Sequence, residues 1–289
     1  MSIVVGVHPQ NLSLSILVRR ASVVADLARA GVAFFEYGAG SQTIPLLKAG
    51  VIQLAGTGAT PPILAEAQGL PSVVFGISGS RHENGGLLVR SDSELQSLGD
   101  LRGRGIGLMP ISWHTQFLAA ELDAAGIHWS EVNAAEIIPL TARDAFVQGR
   151  LDAIVATDPL YSQIANKVSV RVLASPGKAF SNKSVYWGRT DVVNARPEPV
   201  RALIDALIAS DEATRAHPRE AASLLDGLNG NSAADWFPAL TSRPWGVTAP
   251  DSAFLAEQQH HADIFARFGL LQRKIDVSPT VDATLLAAA

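Results

Sequence analysis

Short β-rich runs alternate with helix-patterned stretches along this chain as far as Asp191, and that rhythm admits few folds. Residues 2–7, 32–37, 52–55 and 73–77 read as strands, separated by helical spacing at 14–27, 43–49 and 61–67. Gly31 and Gly69 stop the helices before them, and Pro61 sits where a first helical turn tolerates it. A second block repeats the pattern. Its strands are expected at 87–89, 105–108, 136–139, 152–156, 171–173 and 185–187, and its helices at 113–125 and 141–148. Parallel strands need crossover connections of this kind, so the fold class is α/β with sheets flanked by helices. After Asp191 the chain turns mainly helical, over 199–216, 218–228 and 254–268. The layout implies two lobes, the second inserted in the first, with crossings near 88–90 and 186–190.

Composition narrows what such a scaffold can do. A length of 289 residues suits two lobes of ordinary size. With 23 Lys+Arg against 27 Asp+Glu and a formal net charge of −4, no basic field is available for nucleic acid or anionic lipid. The absence of cysteine removes disulfides, thiolate-bound metal and any cysteine nucleophile. No apolar run is long enough to span a bilayer. The start, MSIVVGVHPQ, has no basic-then-apolar leader. The chain is therefore expected either to be cytoplasmic or to be a mature, periplasmic or cell-surface protein whose leader is replaced by Met1.

In open parallel sheets ligands sit beyond the carboxyl ends of the strands. The loops there are 8–11, 38–42, 56–60, 79–82, 109–115 and 157–161. Gly56-Thr57-Gly58-Ala59-Thr60 runs into a helix at Pro61, and free N–H groups at such a start suit an anion; a helix cap by Thr60 with no ligand is the alternative. Ser112 repeats the arrangement as an N-cap. Beside it Trp113 reads as an apolar wall or a core residue, and His114 as an anion donor or a surface group. Asp158-Pro159 either accepts from a ligand amine or holds its own loop. In 80–84, Arg81 either pairs with an anion or belongs to a solvated loop containing His82 and Glu83. His260 and His261 are adjacent on a helix and point too far apart to share an ion, so no metal site is expected. No GxSxG elbow, HExxH or phosphate-binding loop occurs.

Several stretches together resemble a known family: residues 35–42 (FEYGAGSQ), 56–63 (GTGATPPI), 97–103 (SLGDLRG), 145–153 (AFVQGRLDA), Asp158-Pro159, and the tail from 258 to 270. Over nearly its whole length the chain is similar to the substrate-binding proteins of ABC importers for aliphatic sulfonates, taurine and nitrate. The resemblance implies the two-lobed periplasmic-binding-protein fold (type II), each lobe a mixed, mostly parallel sheet flanked by helices. Residues 1–87 and 189–289 would form lobe I and residues 88–188 lobe II, with the ligand cleft between them. It further implies a small organic anion held by Gln42, Thr57, Gly58, Thr60, Ser112 and Thr115. The loop with Gln10 and Asn11 would close one wall, and Tyr186 and Trp187 would stand near the second crossing. Trp113, His114 and Asp158 complete the expected ligand-binding set.

Three positions depart from the family pattern: Ala59 replaces an acidic residue, Ile111-Ser112-Trp113 a glycine-serine-serine turn, and Thr157 a tryptophan. The exchanges add indole bulk and leave a different or aromatic ligand open. The resemblance implies a membrane permease as partner, a monomer, and no cofactor. An enzyme on the same scaffold is the alternative. The desulfinases of this fold use a cysteine nucleophile, and the pyrimidine synthases of thiamine biosynthesis need a histidine-rich, iron-linked site; this chain offers neither pattern.

Overall fold

In the computed structural model, which describes residues 2–81, 84–177 and 179–287, the alternation becomes two five-stranded sheets. The first holds β1 (Ile3–Val7), β2 (Val32–Glu36), β3 (Leu54–Gly58) and β4 (Ser72–Ile77). The second holds β5 (Gly85–Arg90), β6 (Gly105–Leu108), β7 (Asn133–Glu136), β8 (Ala153–Thr157) and β9 (Val170–Ala174), after which β10 (Ser184–Arg189) returns to the first. The spatial orders are β2-β1-β3-β10-β4 and β7-β6-β8-β5-β9. β1 pairs in parallel with β2 and β3, as β6 does with β7 and β8. The single antiparallel strand is fourth in each sheet, and it is the strand arriving from the other one: β10 between β3 and β4, β5 between β8 and β9. The sheets are therefore mixed and mostly parallel, and the two blocks share one topology. The crossings expected near 88–90 and 186–190 fall instead within β5 and at the end of β10, each of which lies whole within one sheet.

The flanking helices are α1 (Leu12–Leu17), α2 (Ala21–Arg29), α3 (Thr43–Lys48), α4 (Thr60–Ala67), α5 (Trp113–Ala124), α6 (Pro139–Val147) and α7 (Leu160–Ala165). The C-terminal part adds α8 (Thr190–Ala195), α9 (Pro197–Ala216), α10 (Pro218–Leu224), α11 (Ala233–Thr241), α12 (Ser252–Arg267) and a short α13 (Thr284–Ala287). None of the described helices is long and apolar enough to cross a membrane.

Local chemistry explains where these elements differ from expectation. The helix expected over 14–27 is two, because Arg20 takes φ −92°, ψ 89° and sends its guanidinium to Ser210 and Thr214. Pro139 opens α6 instead of ending a strand, since proline's missing N–H costs nothing at a first helical position. Gly56, Thr57 and Gly58 belong to β3 and are not a free turn.

Buried apolar clusters cover both sheets. Of the C-terminal segment expected in lobe I, α12 is shared. Phe254 packs beneath the first sheet, whereas Ala262, Ile264, Phe265 and Phe268 pack with Leu87, Val89 and Ile106 of the second. Ile63 of α4 joins that second cluster as well.

Candidate functional site

The carboxyl ends of the parallel strands of both sheets open onto one cleft of about 460 Å³. The loops after β1, β2 and β3 line it from one side, and those after β6, β7 and β8 from the other. Of the expected ligand contacts, Gln10, Asn11, Thr57, Gly58, Ser112, Trp113, His114 and Asp158 are in this lining. Gln42, Thr60 and Thr115 are not. Gln42 Oε1 accepts from the Ala39 amide at 3.1 Å, and Thr115 Oγ1 donates to Glu136 at 3.5 Å. Thr60 is buried and donates to Gln116 Oε1 at 2.8 Å.

Two of the lining hydroxyls, those of Thr57 and Ser112, are engaged by their own neighbourhood. Thr57 Oγ1 donates to the Gly58 carbonyl at 2.7 Å and accepts from the buried indole of Trp187 at 2.9 Å. Ser112 Oγ donates to the Met109 carbonyl and caps α5 by accepting from the His114 amide. Asp158 holds α7, accepting from the Ser162 amide and hydroxyl, and also accepts from Asn84. Pro61 and Pro62 remove two backbone donors from the start of α4. Ser112 and Asp158 thus serve the structural half of their alternatives, whereas the expected cap by Thr60 is not made: α4 has no side-chain cap, and the Thr60 hydroxyl goes to Gln116.

Donors come from elsewhere. Asn11 Oδ1 caps α1 through the Leu14 amide, which leaves its buried Nδ2 without a partner. Trp236, on α11, lines the cleft with its buried Nε1 likewise unpartnered. His114 is buried rather than on the surface. Its Nδ1 accepts from the Met109 amide at 3.2 Å, which puts the ring proton on Nε2. Burial holds the His8 pKa below the ordinary value, against the pull of Gln10 and the Gly56 backbone. Trp113 is mostly a core residue, parallel to Phe180 at 6.1 Å, and its Cβ would lie 3.1 Å from a Cβ added at Gly58. Arg81 is buried, donating to the Asn182 carbonyl and Oδ1 at 2.7 and 2.8 Å, so it is no part of a solvated loop; His82 and Glu83 lie outside the described residues.

Sequence reasoning missed Asn229, Asn231, Trp236 and Arg243, all from the helical C-terminal part. Asn231 Oδ1 accepts from Gln163 Nε2 of α7 at 2.6 Å, a clasp between the two sides of the cleft; Gln163 Oε1 in turn accepts from Arg143. Among the described residues no group of three His, Asp or Glu side chains could hold a metal ion.

Below the cleft, Asp211 is buried and accepts from Ser13 and the Gly246 amide. Burial raises its pKa to about 6, so its folding stabilisation is present below 3.8 and is lost as pH rises through about 6. His261 is opposite in sign: burial lowers its pKa to about 4, so stability present above 6.5 is lost as pH falls through about 4. At roughly 1.4 kcal/mol per unit, each contributes about 3 kcal/mol, and the two oppose each other between pH 4 and 6. Asp211→Asn removes one of the pair. Its stability in urea is expected to drop, from pH 7 to pH 4, by about 3 kcal/mol more than the parent's; parallel pH profiles would refute this.

A model of the family described as NMT1/THI5 like matches residues 30–221. An Escherichia coli (strain K12) protein named for binding aliphatic sulfonates is 28% identical over 247 residues, spanning 85% of this chain and 77% of its own. The alkanesulfonate-binding protein SsuA from Xanthomonas axonopodis pv. citri, solved bound to MOPS, superposes with a TM-score of 0.87 at 25% identity, covering 97% of this chain and 98% of that one. The desulfurization enzyme DSZB, solved as a mutant in complex with biphenyl-2-sulfinic acid, is more distant, with a TM-score of 0.67 at 18% identity over 99% and 98% of the two chains. The two sheets and their flanking helices form the periplasmic-binding-protein fold.

Proposed function

The chain belongs to the NMT1/THI5-like family, and from that premise we propose that it is the solute-binding component of an ABC importer, capturing a small organic anion of the sulfonate type. The observation that carries the reading is the cleft itself, lined from both sheets at the carboxyl ends of their parallel strands and bridged by Asn231 and Gln163. Residues 2–77 with 184–287 and residues 85–174 act as two lobes that close on the ligand by hinge motion. The buried N–H groups of Asn11 and Trp236 hold the anion from one side, and His114 Nε2 with the start of α5 from the other. The closed form is what a membrane permease reads, and the site of action is the periplasm or the cell surface. The relatives named for sulfonate binding support this reading.

Binding without covalent chemistry is favoured over the enzyme alternative. The chain has no cysteine, and Ser112, the cleft serine at the start of α5, caps that helix and donates to Met109. Calorimetric titration with short-chain, long-chain and aromatic sulfonates, nitrate and acetate tests the reading. Saturable heat with at least one sulfonate is expected, together with a smaller radius of gyration in small-angle scattering; silence from every sulfonate overturns it.

A further inference from the structure

On the side of the second sheet the cleft lining has polar groups at Ser112, His114, Thr157 and Asp158, but six of its residues offer mainly carbon: Met109, Pro110, Ile111, Ile138, Pro139 and Leu140. Two of these are out of place for an ordinary surface. Large hydrophobic side chains that stay exposed are few among the described residues, namely Phe35, Val51, Ile138, Leu140 and Val172. Ile138, at 65% exposure, and Leu140, at 52%, flank Pro139 at the start of α6, and both face the cleft. A single exposed apolar residue needs no explanation, but two side by side on a ligand cleft do. Trp236 faces the cleft from the other half of the fold, and Leu160 extends the apolar wall past the end of β8. The cleft is also roomy. At about 460 Å³ it falls within the roughly 300–1,000 Å³ of clefts that take drug-sized ligands.

We infer that the ligand carries a bulky apolar carbon part, and that Ile138 and Leu140 are the specificity-determining bench on which it lies. The inference rests on the anion-capture reading and adds the chemical class of the ligand's other end. Covering the two side chains removes apolar surface from water at both partners, so affinity rises with the size of the tail. A compact sulfonate leaves the bench wet and gains nothing from it.

The test is calorimetry on the parent and on the double variant Ile138→Ser with Leu140→Ser, using methanesulfonate, octanesulfonate and naphthalenesulfonate. Both positions are exposed, so the variant keeps its fold, which a circular dichroism melt verifies. The parent is expected to bind the two large sulfonates at least about tenfold tighter than methanesulfonate. The double variant is expected to lose about tenfold for the large ligands while its methanesulfonate affinity stays within about twofold. Equal affinity of the parent for all three sulfonates overturns the inference and leaves anion capture standing. So does a variant whose affinity for the large ligands is unchanged, since Ile138 and Leu140 then face some other surface. If no sulfonate binds the parent at all, the underlying reading falls with it.

Discussion

Gly86→Ala is expected to destabilise the protein by more than about 3 kcal/mol, a large part of the roughly 5–15 kcal/mol that ordinarily separates folded from unfolded. Gly86 takes φ +142°, and a Cβ there would lie 2.2 Å from the Ala174 carbonyl oxygen and 3.1 Å from Ser175 Cα. Its neighbour Gly85, at φ +103°, is crowded from the other side, 2.3 Å from the Ala156 carbonyl oxygen. Neither contact can relax by rotating a side chain, because the crowding atoms are backbone of β8 and of the end of β9, both bonded to β5. Gly103→Ala is the control, with φ +73° and no atom within 4 Å of an added Cβ. It carries only the left-handed penalty of about 1–2 kcal/mol. Urea midpoints compare the two directly, and equal shifts would show that the crossing into the second sheet is not as tightly wedged as its geometry indicates.

Gln116→Leu is expected to cost about 3–5 kcal/mol for a different reason. Gln116 is a buried hub between α4, α5 and α12. It accepts from Thr60 Oγ1 at 2.8 Å and donates to His261 Nδ1 at 2.5 Å and to Gln258 Oε1 at 3.4 Å, while Gln258 Nε2 donates to the Ala59 carbonyl. Leucine of similar size strands Thr60 and His261 in an apolar interior, and each buried orphan costs about 1–3 kcal/mol. Adding His261→Leu removes one orphan along with its lost partner, so the double variant is expected to be less damaged than the sum of the singles by at least about 1 kcal/mol. Strict additivity in a double-mutant cycle would mean that the three helices are held by packing alone. The same hub sets the spacing between the starts of α4 and α5, so ligand affinity is expected to fall with stability.

The elements legible in the sequence are those whose signals are local. Gly105–Leu108 stands where its β-rich run puts it; α5 starts after the Ser112 cap and stops before Gly126; and α4 begins beside Pro61. Local punctuation failed at α11, because Pro238 inside a helix reads as a breaker, and with that helix went Trp236. The Gly227, Asn229, Gly230 and Asn231 cluster signals a turn, but nothing local says that the turn reaches across to Gln163. The hydroxyls were ambiguous in kind. Serine and threonine at a helix start or strand end suit a ligand and a neighbour equally, and the deciding partners are remote: Trp187 lies 130 residues from Thr57, and Gln116 lies 56 from Thr60. His114 shows the same limit, its burial being set by how α5 docks rather than by its own sequence context.

The sharing of α12 between the two cores has a consequence for how the chain is made. The cluster under the second sheet is completed by Ala262, Ile264, Phe265 and Phe268, and by Leu271, Ile275 and Val277 beyond them. A ribosome delivers β5 to β9 long before any of these residues, so the second sheet has only α5, α6 and α7 to cover it while roughly a hundred further positions are translated. Closing that core is a late, long-range event, which makes folding slow for the chain's size and leaves the nascent intermediate a natural client for chaperones. For the same reason the inserted segment, excised and expressed alone, is expected to expose the apolar face that α12 covers in the full chain.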